Sequence, residues 1–177
     1  LLELLENTNT ESVLVFTRTK HRAKSLGKKL VDAGYRSASL QGNLSQARRK
    51  AALDGFRSGS FKILVATDVA ARGIDVTRIS HVINYDIPAT TDAYIHRIGR
   101  TGRATRSGEA FTFITSEDRQ MVGAINRIIG FNIEQRTLPA FNDASSSSIR
   151  GSHARRIAKP QRKKYRAGWH WNRPTAQ

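Results

Sequence analysis

The chain has 177 residues and a formal net charge of +16, with 30 Lys and Arg against 14 Asp and Glu. It contains no cysteine, which excludes disulfides and thiolate metal sites, and no apolar run reaches the roughly 18 residues of a membrane span. We expect a cytoplasmic protein with no membrane partner, and the positive charge favours a polyanion as its ligand.

The positive charge is unevenly distributed. Residues 145–177 hold nine Lys and Arg and no acid, which leaves a balance of +7 for the rest. We predict a folded domain over residues 1–143 and a basic tail over 144–177, which has too few aliphatic residues to fold in isolation. Tyr165, Trp169 and Trp171 lie among the basic residues and suit stacking on RNA bases. The tail is therefore predicted to be a flexible RNA-binding tether, with a solubilising end or docking on a protein or ribosomal partner as alternatives.

Strands and helices alternate along residues 1–143. Leu1 to Leu5 is predicted to end a helix, and β-rich runs predict five strands, at 12–16, 37–40, 61–66, 81–85 and 109–114. Helices fill the gaps, with N-caps predicted at Thr19 and Ser45 and helix ends at Gly34 and Gly130. Pro88 and Thr90 are predicted to introduce the helix that carries His96. The last helix begins with a capping box at 115–118; its predicted buried residues are Met121, Val122, Ile125 and Ile128. This alternation predicts an α/β fold with right-handed βαβ crossovers and a parallel sheet.

Unusual loops follow the first three strands, at 17–20, 41–43 and 67–75. Because ligands bind beyond the carboxyl ends of parallel strands, these loops are predicted to form a site along one edge of the sheet. A hydroxyl at Thr67 suits a phosphate, and Asp75 could accept from ribose hydroxyls. Gly42 before a helix start with Gln46 and Arg49 favours an anion at the helix N-terminus. When each is taken alone, ordinary turn chemistry explains residues 67–75 as well as a ligand does, and an ordinary capped helix explains residues 41–49 better.

The strongest indication of phosphate binding lies in residues 94–103. Arg97, Arg100 and Arg103 fall within seven residues, with Gly99 and Gly102 between them. Arginine forks grip phosphate with paired hydrogen bonds, and glycines allow close backbone approach. The alternative is a solvated basic helix end. No other histidine or acid has metal-ligand spacing with His96, so no metal site is predicted.

Four segments together resemble the second RecA-like lobe of DEAD-box ATP-dependent RNA helicases. The segments are Phe16-Thr17-Arg18-Thr19, Gln41-Gly42-Asn43-Leu44-Ser45-Gln46 with Arg49, residues 66–75 (ATDVAARGID) and residues 96–103 (HRIGRTGR). They stand in the family's order on the expected strand ends. The sequence of the core resembles that of the bacterial RhlE-type branch of this family. The resemblance implies a RecA-like parallel β-sheet sandwiched by helices.

The same resemblance implies roles for individual residues. Arg100 and Arg103 would contact the γ-phosphate of ATP as arginine fingers, and His96 and Arg97 would couple two lobes. Gly73 and Asp75 would belong to the nucleotide site, with Asp75 on the ribose. The RNA sugar–phosphate backbone would be contacted by Thr19, Gly42, Gln46, Arg49 and Thr67. Gln41 stands where many members have histidine.

The sequence contains neither a Gly-x-x-x-x-Gly-Lys-Ser/Thr loop nor an Asp-Glu-Ala-Asp segment. The resemblance therefore implies that an N-terminal RecA-like lobe holds Mg²⁺ and most of the ATP. We expect the chain to be part of a longer RNA helicase and inactive alone. Ribosomal or RNA-degradation assemblies are candidate further partners.

Two other functions are compatible with these motifs. The first is a lobe of a DNA-acting superfamily 2 helicase, because arginine fingers on RecA-like lobes are shared widely. The second is a non-enzymatic RNA-binding module with a vestigial nucleotide site, against which the presence of Asp75, Arg100 and Arg103 argues.

Overall fold

The structure, a computed structural model, describes residues 1–8, 10–72, 74, 79–102 and 108–136, with the backbone of 166–167 and 169–172. The helices are α1 (Leu2–Glu6), α2 (Lys20–Asp32), α3 (Gln46–Arg57), α4 (Asp68–Ala71), α5 (Thr91–Ile98) and α6 (Arg119–Ile129), with a 3₁₀ turn at Ser116–Asp118. The strands are β1 (Val13–Phe16), β2 (Ser37–Leu40), β3 (Ile63–Ala66), β4 (His81–Asn84), β5 (Glu109–Ile114), β6 (Glu134–Gln135), β7 (Arg166–Ala167) and β8 (Trp169–Asn172).

The five main strands form a parallel sheet in the order β2-β3-β1-β4-β5. Strand β1 is central, and its Phe16 pairs with Ala66 on one side and Asn84 on the other. Beyond β5 the backbone of β7 and β8 pairs antiparallel with β5, and β6 pairs with β8. The predicted parallel α/β sheet is confirmed. The carboxyl ends of β1, β2 and β3 therefore meet at one edge.

Helices cover both faces of this sheet because the strand side chains alternate between two apolar clusters. Val13 and Val15 pack with Leu26 and Leu30 of α2, and Leu5 of α1 joins the same cluster. The opposite cluster contains the intervening strand residues and side chains of α3, α4, α5 and α6; among its members are Leu14, Phe16, Phe56, Ala70, Tyr94 and Ile125. The layer of helices on each face of the sheet thus follows from strands that are buried on both sides.

The predicted helix boundaries are also confirmed by side-chain caps. The hydroxyl of Thr19 accepts from the Arg22 N–H at 3.2 Å, and that of Ser45 accepts from the Arg48 N–H at 3.4 Å. Thr90 caps α5 in the same way. Gly130 ends α6 with φ +81°, in the left-handed region where glycine is favoured. Cap chemistry therefore fixes where the helices of this edge begin.

The prediction that Ile128 of α6 is buried in the core is wrong. Ile128 is 55% exposed, whereas Ile125 is buried and Met121, Val122 and Ile129 pack partly against the core. At 100° per residue, Ile129 lies nearer the centre of the stripe formed by the other three than Ile128 does. The face of α6 that packs on the core therefore includes Ile129, and Ile128 lies beside it.

None of the helices in the described ranges is long and apolar enough to cross a bilayer. The predicted disorder of the basic tail concerns residues that lie almost entirely outside the described ones, so it stays a prediction.

Candidate nucleotide and nucleic-acid site

Arg97 lies buried at the carboxyl edge of the sheet. It is 2% exposed, and its Nε and Nη2 donate to the two carboxylate oxygens of Asp68 at 2.6 and 2.7 Å. Its Nη1 donates to the Asp86 carbonyl at 2.7 Å and to Asn84 Oδ1 at 3.2 Å. The guanidinium carbon lies 5.1 Å from the ring centroid of Phe16. Arg97 therefore joins α5 to α4 and to the end of β4, and its donors face the lobe's own interior.

A pocket of ≈ 300 Å³ opens beside this ion pair. Its lining includes four basic side chains, those of Arg72, His96, Arg97 and Arg100. Among the described residues, Asp68 supplies the one carboxylate of the lining, and Arg97 binds it. His96 is exposed and Arg100 is half-buried, so both present charge or hydrogen-bonding groups to a ligand. The pocket suits a polyphosphate, because its free donors are cationic.

Arg100 is held at the pocket by its own hydrogen bond and by the turn that follows it. Its Nη1 donates to the Ile74 carbonyl at 3.3 Å. The next residue, Thr101, is buried, and its hydroxyl donates to the Ile79 carbonyl at 2.6 Å. A Cβ on Gly108 would lie 2.0 Å from that hydroxyl oxygen, so only glycine fits there. The end of α5 is therefore pinned against the segment that precedes β4.

Replacing Thr101 with Val should lower the free energy of unfolding by about 1–2 kcal/mol, because the buried Ile79 carbonyl loses its donor. Thr101→Ser keeps the hydroxyl and serves as the matched control. Urea unfolding of the two variants measures the difference. Equal stabilities of the Val and Ser variants would show that the hydroxyl does not pin the turn.

The predicted RNA-binding residues lie along the same edge, outside this pocket. Thr19 and Gln46 are exposed at the starts of α2 and α3, and Gly42 is exposed between β2 and α3. Thr67 is half-buried at the start of α4, and its side chain makes no capping hydrogen bond. Arg49 is half-buried and donates through Nη2 to the Ala70 carbonyl at 2.9 Å. Four of the five thus present groups toward solvent, whereas Arg49 also braces α4.

The predicted nucleotide residues Gly73, Asp75 and Arg103 lie outside the described residues. Of the remaining predictions, the structure brings His96 and Arg100 into one pocket. Thr67 precedes Asp68 in the chain, so the pocket and the row of predicted RNA-binding residues meet at α4. In the described ranges, no group of three or more His, Asp or Glu side chains could hold a metal ion.

Sequence reasoning missed Asp86, whose side chain is 6% exposed. One carboxylate oxygen accepts from the Arg18 N–H at 2.9 Å, and the other pairs with Arg22 Nη1 at 2.6 Å. Its backbone carbonyl accepts from Arg97. Asp86 therefore links the loop that carries Thr19 to Arg97, which lines the pocket. Its place just after β4, at the ligand-binding edge, was the available signal, but its partners are 64 and 68 residues away.

Comparisons with known proteins agree with this geometry. The helicase conserved C-terminal domain family matches residues 1–105. The chain is 43% identical over 139 residues to the ATP-dependent RNA helicase DeaD of Buchnera aphidicola, covering 78% of the chain and 23% of that protein. It is 42% identical over 144 residues to the DEAD-box ATP-dependent RNA helicase CshA of Bacillus subtilis, covering 81% of the chain and 29% of that protein. The chain thus spans about a quarter of the length of these relatives.

Solved structures of DEAD-box proteins also resemble this chain. The Escherichia coli DEAD-box protein SrmB, in a complex with the regulator of ribonuclease activity RraA, superposes with a TM-score of 0.73 at 35% identity, over 86% of this chain and 88% of that one. The C-terminal domain of the DEAD-box protein Dbp5 superposes with a TM-score of 0.67 at 38% identity, over 72% and 75%.

Proposed function

This chain belongs to the helicase conserved C-terminal domain family, among the DEAD-box ATP-dependent RNA helicases, and from that premise we propose that it is the second lobe of an enzyme that unwinds RNA locally. The observation that carries the proposal is the cationic pocket at the sheet edge, where Arg100 and His96 lie beside the Asp68–Arg97 ion pair. The row of predicted RNA-binding residues borders this pocket at α4. The narrower RhlE-type assignment stays a prediction.

In the proposed reaction, ATP lies between this lobe and an N-terminal RecA-like lobe. Arg100 and Arg103 stabilise the charge that develops on the transferred phosphoryl group, as arginine fingers do in this reaction class. Gly73 and Asp75 bind the nucleoside side of the ligand, and His96 faces the other lobe. We propose that Mg²⁺, which neutralises phosphate charge, is held by that lobe, since Asp68 is already bound by Arg97.

RNA is proposed to cross the carboxyl edge of the sheet. Thr19, Gly42, Gln46, Arg49 and Thr67 contact its sugar–phosphate backbone. Such contacts position the strand and carry little sequence information. Closure of the two lobes on ATP then bends one strand and disrupts a short duplex.

The division into a domain over 1–143 and a basic tail over 144–177 is part of this proposal. Nine basic residues without an acid give the tail a strong, unselective attraction to phosphate. A cytoplasmic location and contacts with ribosomal or RNA-degradation assemblies also remain predictions.

The test of the function is the ATPase of the full-length protein with RNA and with DNA of the same sequence. We expect stimulation by RNA and little by DNA. Equal stimulation by DNA would favour a DNA-acting superfamily 2 helicase. ATP hydrolysis absent under all conditions, with RNA binding intact, would favour a non-enzymatic RNA-binding module.

Arg49→Ala and Thr67→Val should weaken RNA binding by similar factors for all sequences, because backbone contacts carry no base code. Binding selection on a randomised RNA pool measures the sequence preference of each variant. Lys50→Ala, an exposed neighbour on α3, is the matched control. A preference that shifts in either variant would show that these side chains read bases.

A further inference from the structure

A second groove of ≈ 260 Å³ lies between the first turns of α2 and α3. Four of its lining residues are basic or histidine, namely Lys20, His21, Lys24 and Arg48, and all four are exposed. Among the described residues no carboxylate contributes to the lining. None of the four belongs to the set of RNA-binding residues proposed above.

The charges in this groove have no acidic partner within the described ranges. Lys20 Nζ donates to Asn43 Oδ1 at 3.2 Å, which ties α2 to the loop after β2. Lys24 and Arg48 form no ion pair there with any carboxylate. Lys20 and Lys24 are one helical turn apart, a spacing at which like charges repel. An anion bound between them would relieve that repulsion.

The two helix ends add to this preference. Both α2 and α3 begin at the groove, with N-caps at Thr19 and Ser45, and they are 13 and 12 residues long. Their N-terminal turns carry partial positive charge and favour an anion. The electrostatics of the backbone and of the side chains therefore have the same sign.

The position of the groove indicates which anion it binds. Lys20 follows Thr19, Asn43 follows Gly42, and Arg48 lies between Gln46 and Arg49. The groove is thus continuous with the row of predicted RNA-binding residues. It is lined in part by Ser39 of β2, the outer strand of the sheet, whereas the lining of the nucleotide pocket comes mainly from α4 and α5.

We propose that this groove binds a further phosphate of the RNA strand, beyond the backbone contacts already assigned, through Lys20, Lys24 and Arg48. The inference rests on the proposed function. It extends the RNA path along the outer edge of the lobe and lengthens the strand that the protein holds.

The test measures the affinity of the full-length protein for single-stranded RNA of increasing length, with a non-hydrolysable ATP analogue present. The oligouridylates start at the shortest one that saturates the ATPase and grow one nucleotide at a time. The Lys24→Ala/Arg48→Ala double variant is compared with Lys29→Ala/Lys50→Ala, which removes equal charge from exposed positions of the same helices outside the groove.

We expect the groove variant to bind the shortest RNA normally and longer RNAs roughly tenfold more weakly, with the slope of log K against log salt flatter by about 0.7 for the one lost phosphate contact. The control variant should follow the wild type at every length. An equal loss for all lengths, an equal loss in the control, or no loss at any length would each overturn the proposal. Failure of the wild type to bind RNA would instead contradict the proposed function.

Discussion

Arg100→Ala in the full-length protein is expected to lower kcat for RNA-stimulated ATP hydrolysis by about 10³-fold or more. An arginine finger stabilises charge that develops in the transition state, which is typically worth about 10³–10⁵ in rate. Arg100 is half-buried in the cationic pocket and is oriented by the Ile74 carbonyl. Steady-state turnover at saturating RNA and ATP measures the effect.

The control for this prediction is Arg119→Ala, which removes an exposed arginine of α6 outside the pocket. RNA affinity without nucleotide should be nearly unchanged in the Arg100 variant, because the pocket is separate from the predicted RNA contacts. A fall in RNA affinity as large as the fall in kcat would assign Arg100 to the RNA site instead.

Arg97→Leu is expected to lower the free energy of unfolding by about 2–4 kcal/mol. Breaking a buried ion pair costs about 3–5 kcal/mol when one charge is left alone. Here the Asp68 side chain is 45% exposed, so water screens its charge and reduces the cost. The buried Asn84 and the Asp86 carbonyl also lose a donor.

Urea unfolding of the 177-residue chain measures this loss, with Arg119→Leu as the control for removing an exposed arginine. The control should change stability by less than about 0.5 kcal/mol, as is usual for surface sites. A similarly small change in Arg97→Leu would mean that the charge network does not hold α4 and α5 together.

The strands and the starts of the helices were predicted well from the sequence, because each depends only on residues that are close together in the chain. Continuous apolar runs gave the buried strands, since a parallel sheet covered on both sides needs them. Thr19 and Ser45 were predictable as caps because their hydroxyls satisfy N–H groups three residues away. The parallel sheet, which is confirmed, was predicted from the alternation of strands and helices, and parallel strands place the loops at one edge.

The partners of charged side chains were not predictable in the same way. The resemblance implies that Arg97 couples two lobes, and the structure adds that its guanidinium is bound within this domain by Asp68, Asn84 and Asp86. Asp68 is 29 residues from Arg97 in the chain, so only the packed fold reveals the pairing. Arg49 likewise braces α4 from α3, a contact that no local pattern indicates.

These contacts connect the two proposed ligand sites. Thr67, on the RNA side, directly precedes Asp68, and Asp68 is bound by Arg97. Arg97 lies near the end of α5, three residues before Arg100 on the nucleotide side. A shift of α4 on RNA binding would therefore be transmitted to α5 through a bidentate ion pair. The arrangement predicts that RNA and nucleotide affect each other's affinity.

The most direct test of this account is the RNA dissociation constant of the full-length protein with and without a non-hydrolysable ATP analogue. Coupling between two sites is typically about 5–150-fold and is reciprocal. The account predicts that the analogue tightens RNA binding by a factor in that range, and that RNA tightens analogue binding equally. An RNA dissociation constant that is the same with and without the analogue would contradict it.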